Sequence, residues 1–143
     1  MEWQVLWPRA GPGGVAAVKG GGGPNDSSVT LYVRAAGGLT LLLLGDLEPP
    51  AQRGLLHGPS ELPRVDVLKV AHHGSAFQDT GLLDRVRPRL ALISCGADNP
   101  YGHPAPRTLD ALRAAGARVL RTDTDGAVAV TGAGRELRAV GRS

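Results

Sequence analysis

The chain has 143 residues, 42% of them hydrophobic and 3% aromatic, with a formal net charge of +3. That length suits one domain with a real core, and that apolar content excludes a chain disordered throughout. The charge is modest and shows no dense Lys/Arg run, so composition permits contact with a polyanion without arguing for it. The single Cys95 cannot form an intrachain disulfide, and its setting "LALISCGAD" reads as a small buried hydrophobe at a strand end. The start, "MEWQVLWPRAGPGG", lacks the basic and apolar segments of a signal peptide. The longest apolar run, "LTLLLLG", is too short to span a bilayer. A soluble chain is expected.

In chain order, "EWQVLWP" is short, partly alternating and closed by Pro8, which predicts a strand. Residues 9–27 are dense in Gly and Pro and predict a flexible loop. "SVTLYVRA" and "LTLLLLGD", separated by Gly-Gly, read as a hairpin pair. "EPPAQRGLLHG" is a short helix with prolines tolerated in its first turn. "RVDVLKVA" and "RLALISCG" read as buried strands, with a helix "DTGLLDRVRP" between them that Pro88 stops. "PAPRTLDALRAAG" is amphipathic, with Leu109 and Leu112 on one face and Gly116 as the stop. "ARVLRTD", "GAVAVTG" and "RELRAV" close the chain as three strands. This order predicts a layered α/β domain with a mixed sheet and helices on one side.

The chemistry-bearing residues fall after predicted strands. Asp46 ends "LTLLLLGD", and His72 and His73 follow "VDVLKVA". Ser94, Asp98 and Asn99 follow or end "RLALISCG", with His103 in the next loop, and Asp123 and Asp125 follow "ARVLRT". In α/β sheets ligands bind where strands end, and Asp with His is the donor set of Zn²⁺, Mn²⁺ and related ions. Each residue also has a plainer reading. Asp46 can cap the following helix, and each His can simply hydrogen-bond within its loop. His57 suits the C-terminal end of a helix, and Asp123 and Asp125 suit a turn. The pair beside Gly74-Ser75 at a buried strand end favours a site, with Ser75 either capping the next helix or binding an anion.

Four segments in this order, "LLLLGDLE", "VDVLKVAHHGSA", "RPRLALISCGADNPYGHPAPRTLDAL" and "ARVLRTDTDGAVAV", with "NDSSVTLYV" upstream, carry a family resemblance. They resemble the carboxyl-terminal part of the metallo-β-lactamase-like domain of the ComEC/Rec2 competence family. The resemblance implies a partial αββα sandwich, its second half, spanning residues 1–143. It implies a divalent metal, Zn or Mn, in the intact domain, with Asp46 and His73 as ligands. His72, Ser75 and His103 would then face the phosphate as catalytic groups. It implies a parent at the cell membrane that cuts phosphodiesters of incoming single-stranded DNA, with no small-molecule cofactor.

The H-x-H-x-D-H motif of such domains does not occur among the four histidines, which are His57, His72, His73 and His103. The chain is therefore expected to need an N-terminal half of the domain, beside the parent's transmembrane channel, and to expose an apolar sheet face without it. Two ligands hold an ion weakly, so the chain alone is expected to be inactive. Two rival readings remain. One is a DNA-positioning module without catalysis, in which Arg85, Arg87, Arg107 and Arg121 matter more. The other is a soluble metallo-hydrolase of the same superfamily.

Overall fold

Short Leu- and Val-rich runs bounded by Gly, Pro and Asp become strands, and the longer segments between them become crossover helices. The computed structural model of the chain describes residues 1–11, 14–15, 23–58 and 61–142. Its elements are β1 (Glu2–Trp7), β2 (Ala10–Gly11), β3 (Gly14–Val15), β4 (Thr30–Arg34), β5 (Thr40–Leu43), α1 (Pro49–Leu56) and β6 (Val67–Lys69). Then come α2 (Thr80–Val86), β7 (Leu90–Ile93), α3 (Pro106–Ala114), β8 (Arg118–Arg121), α4 (Thr122–Asp125), β9 (Ala127–Thr131) and β10 (Arg138–Arg142).

The main sheet has six strands in the order β1-β4-β5-β6-β7-β8. The pairs β1/β4 and β4/β5 are antiparallel, so the expected hairpin forms. The pairs β5/β6, β6/β7 and β7/β8 are parallel. Parallel neighbours need crossovers, and α1, α2 and α3 supply them in turn. This topology gathers the carboxyl ends of β5 to β8 at one rim.

Registration sorts the strand residues into two faces. Leu42, Leu68 and Ala91 align across β5, β6 and β7. They join one buried core with Ala51 and Leu55 of α1, Leu82, Leu83 and Val86 of α2, and Leu109 and Leu112 of α3. The helices therefore cover this face, as expected. Each fully buried Leu contributes roughly 1.5–3 kcal/mol, so most of the stability resides here. The opposite face is also apolar, with Leu31 beside Leu43 and Val33 beside Leu41, and Val67 beside Leu90. At its β1 edge Trp3 and Val5 are 65% and 47% exposed.

Several boundaries differ from expectation. β6 is only three residues long, and Asp66 just before it still bonds to both neighbouring strands, its N–H donating to the Thr40 carbonyl at 3.1 Å and its carbonyl accepting from the Leu90 N–H at 2.9 Å. Its Oδ2 accepts from both the N–H and the hydroxyl of Thr40 at 3.0 Å. Within the segment expected to be one loop, β2 and β3 pair with each other, and Pro24–Ser27 forms a 3-10 turn. The remainder of that Gly-rich stretch, residues 12, 13 and 16–22, lies outside the described residues. The end of "ARVLRTD" is helical (α4), because Asp125 Oδ2 accepts from the Arg121 N–H at 2.7 Å and curls the chain. β10 starts at Arg138, since Gly134–Glu136 forms another 3-10 turn. Among the described residues no helix is long and apolar enough to cross a membrane.

Candidate functional site

The rim is built by cross-strand hydrogen bonds between the β5 and β6 ends. The His72 N–H donates to the Gly45 carbonyl at 3.1 Å, which brings the histidine pair beside Asp46. Gly45 has φ +61°, and a Cβ there would lie 2.7 Å from Ser28 Cβ. Only glycine combines that backbone with that approach. Ser28 in turn accepts from the Asp46 N–H at 3.1 Å. After Val70 the chain turns through left-handed backbone at His72 (φ 45°), His73 (φ 53°) and Gly74 (φ 78°). Such conformations are costly for residues with a Cβ and persist where surrounding structure imposes them.

Two side chains hold that turn. Gln78 Nε2 donates to the carbonyls of Ala71 at 3.1 Å and Ser75 at 3.2 Å. Thr108 Oγ1 of α3 donates to the Ser75 carbonyl at 2.7 Å. Gly74 packs so closely on Pro104 that a Cβ would sit 2.7 Å from Pro104 Cβ, and the Ala105 N–H donates to the Gly74 carbonyl at 2.9 Å. This clasp fixes the His103 loop against the His72–His73 turn. The His72 ring centroid is 5.7 Å from that of His103 and 6.3 Å from that of His73.

His73 Nδ1 lies 2.7 Å from the Ser94 carbonyl, which can only accept, so Nδ1 carries the proton. That leaves the lone pair on Nε2, which stands 3.5 Å from Asp46 Oδ1. Two ligand atoms about 2.1 Å from one tetrahedral ion lie ~3.4 Å apart, so this donor pair fits a metal. A carbonyl on the far ring nitrogen is the usual orienting contact of a histidine ligand. Among the described residues no group of three or more His, Cys, Asp or Glu gathers to hold an ion.

His72 Nδ1 is buried without a hydrogen-bond partner among the described residues, with Glu48 Oε1 3.6 Å away. Burial, and then the neighbouring His72 and His73, push the His103 imidazole below its ordinary pKa, favouring its neutral form.

Asp46, His72, His73 and His103 thus come together at one rim. Ser75 does not share their exposure. It is 2% exposed, and its hydroxyl donates to the Phe77 carbonyl at 3.4 Å within its own loop. The cap of α2 is Asp79, whose Oδ1 accepts from the Leu82 N–H at 3.1 Å, and not Ser75. Glu48, not Asp46, occupies the N-cap position of α1. His57 stands at the α1 C-terminus. Asp123 is tied to Arg121, which holds its carboxyl down at about 2. The Cys95 thiol donates to Asp123 Oδ1 at 3.1 Å, and burial pushes its pKa up, so it is no ready nucleophile. Asp98 is exposed. A cavity lined by Val5, Tyr32 and Leu62 shares no residue with the rim.

Comparison with known proteins bears on this arrangement. Over 106 residues the chain is 38% identical to ComE operon protein 3 of Bacillus subtilis. Over 105 residues it is 38% identical to competence protein ComA of Neisseria gonorrhoeae. Over 92 residues it is 35% identical to recombination protein 2 of Haemophilus influenzae. The chain belongs to the ComEC/Rec2 family. The matches take in 73%, 73% and 64% of the chain, and 13%, 15% and 11% of the relatives' lengths. No family model matches the chain, and no solved structure does.

In this ComEC/Rec2 chain, sequence reasoning passed over the residues that hold the rim in place. Gln52 is fully buried, its Nε2 donating to the Leu47 carbonyl at 2.7 Å and its Oε1 accepting from the Asp79 N–H at 2.8 Å. Asp26 is buried and its Oδ1 accepts from the Glu48 N–H at 3.1 Å, bracing the turn after Asp46. Asn99, noted only as polar, closes the His103 loop through bonds to the Gly96 carbonyl and to both the N–H and the carbonyl of His103. Lys69, inside a strand that reads as apolar, reaches the rim with Nζ 3.9 Å from Asp46 Oδ1. A polar residue inside an apolar run was the signal available for Lys69.

Proposed function

We propose that the chain is the carboxyl-terminal half of a metallo-β-lactamase-like αββα sandwich in a DNA-internalisation competence protein. In the intact parent this half contributes to a metal-dependent phosphodiesterase acting on incoming single-stranded DNA. The observation that carries the reading is the His73 Nε2–Asp46 Oδ1 separation of 3.5 Å with His73 Nδ1 committed to the Ser94 carbonyl. Support comes from the β1, β4 and β5 side of the sheet face opposite the helices, where Trp3 and Val5 are exposed and Leu31, Val33, Leu41 and Leu43 are only half-buried, while Val67 and Leu90 are already buried; a second sheet would cover that open side. The relatives' names, a competence protein among them, support the DNA-uptake role.

In this mechanism Asp46 and His73 would hold a divalent ion, Zn or Mn, which when bound would supply Lewis acidity and positive charge at the phosphate. His73 is aimed by Ser94, and Asp46 is aimed by Ser28 and Gly45. His72 and His103 face the phosphate from the same rim, where a neutral His103 can donate or accept a hydrogen bond without repelling a cation. Ser75 contributes from beneath, as the buried link through which Thr108 and Gln78 hold the turn. The remaining metal ligands come from a partner half, in cis or as a second chain.

The test is cleavage of single-stranded DNA with Mn²⁺ or Zn²⁺. The chain alone is expected to bind metal weakly and to cleave nothing. Supplying an N-terminal half of a ComEC/Rec2 domain should bring activity that Asp46→Ala and His73→Ala abolish. Robust cleavage by the chain alone would overturn the incomplete-site reading.

A DNA-positioning role has its own supporting observation. Phe77 is 64% exposed with the Arg107 guanidinium 5.5 Å from its ring centroid, and Tyr101 is 78% exposed and stacks on His103. Exposed aromatics with Arg beside them, on the two loops that frame the rim, suit stacking of unpaired bases.

A further inference from the structure

Lys69 is charged where its neighbours are not. In the sheet register it stands between Leu43 of β5 and Leu92 of β7. Its side chain is 25% exposed, and burial pushes its ammonium below the ordinary lysine range while Asp46 pulls the other way. A half-buried ammonium in an inner parallel strand is expensive unless something opposes its charge. Its Nζ donates to the Gly45 carbonyl at 3.3 Å and lies 3.9 Å from Asp46 Oδ1. The same oxygen, Oδ1, is the one 3.5 Å from His73 Nε2. One carboxylate oxygen therefore has the Lys69 amino group on one side and an imidazole nitrogen on the other.

We infer that Lys69 is the built-in counter-ion of Asp46, a positioning residue that weakens the rim's hold on a divalent cation and strengthens its hold on a phosphate. The inference rests on the metal reading of Asp46 and His73. An ammonium beside the carboxylate keeps it fixed and neutralised, so an incoming cation meets less net negative charge. The same ammonium offsets the repulsion between the carboxylate and a phosphodiester. A residue with only a packing role would not move these two affinities in opposite directions.

The experiment uses the full chain with Lys69→Met, which keeps the stem and removes the charge, Lys69→Gln as a second neutral variant, and Lys69→Arg, which keeps the charge. Mn²⁺ binding is measured by calorimetry, and binding of a fluorescein-labelled oligothymidylate by anisotropy at fixed salt without metal. The neutral variants should bind Mn²⁺ about tenfold tighter and the oligonucleotide severalfold weaker, as expected for one unit charge removed near 4 Å at a partly exposed site. Lys69→Arg should stay near the parent chain in both. Asp46→Ala should lose the Mn²⁺ binding, and the Asp46→Ala/Lys69→Met pair should not regain it. Loss of Mn²⁺ binding in Asp46→Ala, with unchanged or weaker binding in both neutral variants, overturns the counter-ion role and leaves the metal reading standing. Unchanged Mn²⁺ binding in Asp46→Ala overturns the metal reading and the inference with it.

Discussion

The His72 N–H and the Gly45 carbonyl, 3.1 Å apart, join the ends of β5 and β6. Gly45 precedes Asp46 and His72 precedes His73, so this single bond sets the distance between the two candidate ligands. The Lys69 ammonium donates to the same carbonyl, which makes Gly45 the hinge point of the rim.

Gly45→Ala should therefore damage both fold and site. The new Cβ meets Ser28 Cβ at 2.7 Å and sits on a backbone with φ +61°. The expected loss is about 2 kcal/mol in urea denaturation, from strain and overpacking together. Gly102→Ala is the control, since its φ is +68° but nothing lies within 4 Å of an added Cβ. It should lose only about 1 kcal/mol. Equal losses at the two positions would mean that the Ser28 contact is unimportant.

Asp46→Ala and His73→Ala should each reduce Mn²⁺ and Zn²⁺ affinity of the chain at least tenfold, about 1.4 kcal/mol or more, by calorimetry. His57→Ala should leave it unchanged, because His57 caps α1 away from the rim donors. A loss in His57→Ala equal to that in His73→Ala would point to nonspecific binding by surface histidines.

Arg121 holds the Asp123 carboxyl down at about 2, against an ordinary 3.8. A lowered acid pKa means that the unfolded chain takes up the proton first as pH falls. The stabilising contribution is thus fully present above pH 3.8 and is lost as pH drops toward about 2. Asp123→Asn should melt several degrees below the parent chain at pH 6, and the gap should shrink between pH 3.8 and 2. Thermal melts across that window check it, and a gap that stays constant would rule out the Arg121 pairing as its source.

Gln52→Leu keeps the volume and removes the bonds to Leu47 and Asp79. The buried Leu47 carbonyl and the Asp79 N–H then lose their partners. The expected cost is about 2–3 kcal/mol, from stranded polar groups and not from lost packing. Since Asp79 also caps α2, hydrogen exchange should rise at the first turn of α2 in this variant.

Phe77→Ala and Tyr101→Ala remove exposed side chains and should barely change the melting temperature. Each should weaken single-stranded oligonucleotide binding by roughly 1–3 kcal/mol with much less effect on duplex, if bases stack there. Anisotropy titrations with both substrates decide it. Equal losses on single strand and duplex would show that the two aromatics do not read unpaired bases.

The elements were legible in the sequence because their signals are local. Apolar runs of four to six residues such as "LTLLLL" and "RLALI", bounded by Gly, Pro and Asp, mark strands wherever they fall. The convergence of Asp46, His72, His73 and His103 was legible for a related reason, since each follows a strand and parallel strands bring their ends to one rim. Tertiary structure decided what the sequence could not. Whether Asp46 caps a helix or faces His73 depends on Glu48 taking the N-cap position of α1. Whether Ser75 lies on the rim or beneath it depends on Thr108, 33 residues away. The proton on His73 Nδ1 depends on Ser94, 21 residues away. The place of Lys69 beside Asp46 depends on the β5/β6 register. These are pairings across chain crossovers, and a hydrogen bond between residues far apart in sequence leaves no periodicity or composition signal at either end.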